Sequence, residues 1–136
     1  MVGWGVVEQF ARRREKRTDL RSAVTSLASA VEEVREAAVA FYLLAGNDPQ
    51  SHSLAATIRS KIAALAEQLN ILKEAGLDLD TDDLLKRFRQ SVTGGDFDSH
   101  ARQPLLAASP MFVKMAGDAQ ALGRAAQTAM LKKLLS

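Results

Sequence analysis

Leu20, Val24, Leu27, Val31, Val34, Ala38, Phe41 and Ala45 recur at steps of four and three without a break. In an α-helix that spacing puts all eight on one face, and so long an apolar stripe has to be covered by other helices. Three more stretches carry helical apolar spacing: Leu54, Ile58, Ile62, Leu65, Leu69 and Leu72; Leu84, Leu85, Phe88 and Val92; and Phe112, Met115, Ala119, Leu122, Ala126 and Ala129. No stretch alternates as a half-buried strand would. The expected fold class is therefore all-α: an up-and-down antiparallel helical bundle of three long helices and one short helix.

Capping residues divide these stripes into elements. The first helix is expected over about residues 18–45, with an extension back to Val6 left open. Val6 and Phe10 continue its phase, but Arg13 and Arg17 occupy the core positions between them, so the buried face should begin near Leu20. This separates a basic N-terminal arm, residues 1–17, from a single bundle domain, residues 18–136. Ala23, Ala30, Ala37 and Leu44 flank the main stripe and would let a neighbouring helix approach closely. Gly46-Asn47 suggests a left-handed stop. Asp48-Pro49 reads as an N-cap with proline at the first helical position, opening a second helix that stops at Gly76. Asp80 or Thr81 should cap the short third helix, with Asp82 and Asp83 favourable in its first turn. Thr93-Gly94-Gly95 ends it, residues 93–109 have no clear period, and Ser109-Pro110 opens the last helix.

Composition narrows the chemistry. The 136 residues include no cysteine, which excludes disulfides, thiolate metal sites and a cysteine nucleophile and suits a reducing cytoplasm. Eighteen Lys and Arg against sixteen Asp and Glu leave a net charge of +2, too balanced to argue for nucleic acid. No apolar run approaches the ~20 residues that cross a bilayer. The N-terminus places its apolar residues before its cations, the reverse of a secretory signal.

Catalytic and metal-binding patterns fail on their most demanding positions. Asp78-x-Asp80-x-Asp82 resembles the opening of a calcium loop, but Asp83 and Arg89 stand where the turn glycine and bidentate glutamate belong. Glu32, Glu33 and Glu36 flank the apolar stripe, and neither His52 nor His100 follows a glutamate by three residues, as an inward-facing carboxylate-bridged metal site would require. Both histidines read as surface residues. No strand–turn–helix elbow exists to hold a nucleophilic serine. Gly94-Gly95 lacks the following helix and Lys-Ser or Lys-Thr pair of a phosphate loop.

Two segments remain as candidates. Arg12, Arg13, Arg14, Lys16 and Arg17 form a solvated helical face, or an attachment to an anionic membrane surface with Trp4, Val6, Val7 and Phe10 at the interface. Nucleic acid is a third reading, disfavoured because no aromatic stacking platform accompanies the cluster. Thr93-Gly94-Gly95-Asp96-Phe97 is either a pinned crossover or a recognition loop. In the pinned version Asp96 accepts backbone hydrogen bonds, Phe97 folds back onto the bundle, and Arg102 pairs with Asp96 or Asp98.

Phe88-Arg89-Gln90-Ser91-Val92-Thr93-Gly94-Gly95-Asp96-Phe97, with Arg102 and Pro104 beyond it, resembles a pattern in small uncharacterised bacterial helical proteins. Glu33-Val34-Arg35-Glu36-Ala37-Ala38 and Phe41-Tyr42-Leu43 are similar too, so the likeness spans residues 20–135. It implies a short cytoplasmic bundle, in that group often tethered by an N-terminal membrane segment. Here only a short apolar stub with Trp4 precedes the arginines. The resemblance implies no catalytic residue.

The expected function is non-enzymatic: binding to a protein partner or self-association as a homo-oligomer, in the cytoplasm and at the inner membrane surface. A nucleic-acid-binding accessory role through residues 12–17 is the alternative, and an enzyme using carboxylates in the 78–98 region is a more distant third. No catalytic residue, cofactor or metal ligand is expected.

Overall fold

The structure is a computed structural model that describes the backbone of residues 3–135 and the side chains of residues 17–135. Helices α1 (Gly3–Tyr42), α2 (Pro49–Glu74), α3 (Asp82–Thr93) and α4 (Pro110–Leu135) form an all-α bundle, with a 3-10 turn at Gly95–Asp98 between α3 and α4. Three helices are long and one is short, and no strand occurs among the described residues.

Their directions follow from specific contacts. Lys61 on α2 reaches Glu33 on α1 at 3.0 Å, while Ser51 at the start of α2 lies by the end of α1. α1 and α2 are therefore antiparallel. The Leu105 N–H donates to the Tyr42 carbonyl at 2.8 Å, so α4 also begins where α1 ends. The Tyr42 hydroxyl donates to the Val92 carbonyl near the end of α3. At the opposite pole, Lys133 of α4 donates to the Gly76 carbonyl after α2 at 3.3 Å. One pole thus gathers the ends of α1 and α3 with the beginnings of α2 and α4.

The core is the union of the four stripes. From Val24 through Phe41 every main-stripe position of α1 is buried, with Leu20 and Ala45 half-buried at its ends. Ile58, Ile62, Leu65, Leu69 and Leu72 of α2 are buried, as are Leu85, Phe88 and Val92 of α3. All six apolar-stripe residues of α4, from Phe112 to Ala129, join them. Burying such side chains is the main favourable term in folding, at roughly 1.5–3 kcal/mol for each large one. Of the flanking α1 column, Ala30, Ala37 and Leu44 are half-buried, but Ala23 is exposed.

Several boundaries depart from the sequence expectation. α1 ends at Tyr42, three residues short of 45. Its backbone is helical back to Gly3, past the Val6 to which the apolar phase allows it to extend, so the basic segment is a helical extension of α1. Gly46 is not left-handed. It is small because the crossover passes over it: its N–H donates to the Arg102 carbonyl at 2.9 Å, and a Cβ there would run into the Ser99 carbonyl oxygen. The left-handed glycine stop occurs instead at Gly76, with φ +97°. There Gly76 N–H bonds to the Lys73 carbonyl and Leu77 N–H to the Leu72 carbonyl, satisfying two end-of-helix acceptors.

Asp48 caps α2 by accepting from the Gln50 N–H at 2.9 Å, and Ser109 accepts from the Met111 N–H at 3.3 Å at the start of α4. Thr81 takes the cap position of α3 but its hydroxyl makes no cap bond. It is buried instead, with Leu77 and Leu79, while Asp78 and Asp80 face solvent. The α2–α3 linker therefore alternates inward and outward, a short period-two pattern that lets an extended strap bury every second side chain.

Candidate functional site: the crossover pole

Most polar detail lies at the pole where α1 and α3 end. Three rings meet there: Phe41 and Tyr42 are 4.9 Å apart edge-on, and Phe97 lies 4.6 Å from Phe41. Gly95 makes this possible by adopting φ +62°, which turns the chain after α3 so that Phe97 folds inward to 4 % exposure. Gly94 is extended, at φ −75° and ψ 173°, and a Cβ there would collide with the Gln90 carbonyl oxygen. The pinned-crossover geometry is thus present, with Phe97 as its anchor.

Its polar half differs from expectation. Arg102 forms no ion pair with Asp96 or Asp98. It is buried to 5 % exposure and donates through Nη1 to the carbonyls of Phe41 (3.1 Å) and Leu44 (2.7 Å), and through Nη2 to the Ser51 hydroxyl (2.8 Å). The Phe41 carbonyl lies in the last turn of α1 and that of Leu44 just past it, where the partial negative charge of the helix dipole collects. The guanidinium also lies 4.0 Å above the Phe41 ring. Arg102 is accordingly a helix cap drawn from 61 residues away. Burial holds its pKa below the usual arginine value, against the opposing pull of Tyr42 and Asp96. Burial likewise pushes the Tyr42 phenol up to about 12. Asp98 pairs with Arg59 of α2, whose guanidinium sits 5.1 Å from the Phe97 ring. The Asp96 carbonyl, rather than its carboxylate, takes the Ser99 N–H at 3.0 Å.

Beside these residues a cleft of about 480 Å³ is lined by Gly94, Gly95, Asp96, Ser99, Gln103 and Met111, among others. The Thr93 hydroxyl is turned back to the Arg89 carbonyl at 2.8 Å. The same pole brings His52 and His100 together, with ring centroids 5.9 Å apart. Sequence separation gives no hint of that pair, nor of Ser51 as a partner of Arg102, because both arise where a loop without periodicity crosses the α1–α2 turn.

A second open feature is a groove of about 680 Å³ between α1 and α4. Ala28, Glu32 and Arg35 form one wall; Val113, Gly117 and Gly123 lie along the other. Glu32 and Arg35 pair one turn apart, and the Arg35 hydrogen bond lowers the Glu32 pKa. Glu32, Glu33 and Glu36 are all exposed, as expected of a solvated face. No three His, Cys, Asp or Glu converge as a metal site among the described residues. Arg17 is exposed, whereas the side chains of Arg12, Arg13, Arg14 and Lys16 lie outside the described residues. No helix among the described residues is long and apolar enough to cross a membrane. No family model, curated protein or solved structure matches the chain.

Proposed function

We propose that this chain is a non-enzymatic helical-bundle protein that works in the cytoplasm by binding another protein or a second copy of itself, with its basic N-terminal arm resting on the anionic inner membrane surface. The observation that carries the reading is the open α1–α4 groove. Gly117 and Gly123 stand inside a helix, where each costs about 1 kcal/mol relative to alanine. A Cβ at either position would meet nothing within 4 Å, so no contact within the described chain calls for a glycine. A partner helix laid in the groove would gain from the close approach that missing side chains permit. Val113, 73 % exposed, stands at the same groove, and Leu131 continues that face of α4.

Filling the groove tests this. Gly117→Gln and Gly123→Gln should leave thermal stability equal or higher, because space is open and helix propensity improves. Self-association in sedimentation equilibrium, or retention of a co-purifying partner, should be lost in the filled variant. A chain that stays monomeric at every concentration and retains the same partners with and without the groove would remove the support for this reading.

A further inference from the structure

His52 and His100 are 48 positions apart in sequence, yet at the crossover pole their ring centroids lie 5.9 Å apart, the ring planes tilted by 44°. With metal–nitrogen bonds of about 2.0–2.1 Å, two imidazoles on one ion hold their centroids within about 6.4 Å, so the observed separation lies within reach of a shared cation. The backbones on both sides are held. Ser51, next to His52, accepts from Arg102 at 2.8 Å, two residues beyond His100. The Gly46 N–H ties the turn before α2 to the Arg102 carbonyl at 2.9 Å. The Ser99 carbonyl presses against Gly46, leaving no room for a side chain there. Both imidazoles are exposed, so a hydrated cation reaches them without opening the core. No third His, Cys, Asp or Glu completes a cluster among the described residues, which leaves the remaining coordination positions to water.

We propose that His52 and His100 form a two-point site for a borderline divalent transition-metal cation, which staples the α3–α4 crossover to the first turn of α2. Imidazole nitrogen suits zinc, copper and nickel and does not suit magnesium or calcium. Because the two ligands meet only in the folded chain, such a cation binds the native state preferentially and stabilises it by mass action.

Titration of the full chain with Zn²⁺ or Ni²⁺ alone, followed by calorimetry, should give one ion per chain. His52→Ala and His100→Ala should each weaken binding by at least tenfold, since one-point attachment replaces two. Thermal melts without metal should match wild type in both variants, because both side chains are exposed. Added Zn²⁺ should raise the midpoint of the wild type and leave that of the double variant unmoved. Equal Zn²⁺ affinity in wild type and double variant would overturn the proposal. So would a stoichiometry of one ion per two chains, which places the second imidazole on another molecule.

Discussion

The buried guanidinium of Arg102 meets several demands together: the Phe41 carbonyl in the last turn of α1, the Leu44 carbonyl just beyond it, the Ser51 hydroxyl and the open face of Phe41. Lysine offers a compact point charge and cannot reproduce that planar fork. Arg102→Lys should therefore destabilise by about 2–4 kcal/mol in urea melts, because hydrogen bonds to a charged group are lost and the buried Ser51 hydroxyl loses its donor. Tyr42 predicts a pH dependence. Its phenol is held protonated by burial, with a pKa of about 12 against an ordinary value of 10.0. A raised folded-state pKa contributes stability that is fully present below pH ~10 and is lost as pH rises toward 12, by on the order of 2–3 kcal/mol. Comparing alkaline melts of wild type with Tyr42→Phe should show this loss only in the former. Tyr42 is the only tyrosine, so an absorbance titration reads it directly. At the turn, Gly95→Ala should cost about 1–2 kcal/mol from the left-handed backbone. Phe97→Ala should cost about 3–5 kcal/mol, and Asp96→Asn little, as its carboxylate is exposed. A neutral Phe97→Ala in chemical denaturation would contradict the anchor role.

At the scale of elements, helical stripes translate into burial with few exceptions. Leu27 belongs to the longest stripe and is almost wholly buried. Leu27→Ala should cost about 2–5 kcal/mol, whereas Leu20→Ala, at the half-buried start of the stripe, should cost under about 1 kcal/mol. Equal losses in parallel urea melts would mean that the core continues past Leu20 into the basic segment. Length supports the distinction. α1 has forty residues and α2 twenty-six, or about 60 Å against 39 Å at 1.5 Å per residue. Twenty-six residues counted back from Tyr42 reach Arg17, the last cation of the basic cluster.

For the whole molecule, charge is distributed unevenly. Residues 12–17 hold five cations and one glutamate, more positive charge than the chain's net +2, so the rest of the chain is net acidic. Deleting residues 1–16 should leave the melting midpoint unchanged and abolish binding to anionic phosphatidylglycerol vesicles. Full-length binding should weaken as salt rises, because screening acts on exposed charges. Collapse of the truncated fold would place the arm in the core. Salt-sensitive retention on DNA without vesicle binding would favour the nucleic-acid reading.

Periodicity and capping chemistry by themselves determine the helices, their inward faces and most of their boundaries, since both act within a few residues of chain. Asp48, Ser109 and the glycine after α3 behave as local chemistry requires. Tertiary structure decides what distant segments do to one another. Gly46 carries no left-handed turn because Ser99 and Arg102 cross it. Leu77 and Leu79 are core residues because the strap between α2 and α3 lies against the bundle. Arg102 caps α1 instead of pairing with an aspartate nearby, because a buried carbonyl, a half-buried one and a ring face outweigh a solvent-screened carboxylate. His52 meets His100 for the same reason: a loop with no period of its own takes its course from the surface it crosses.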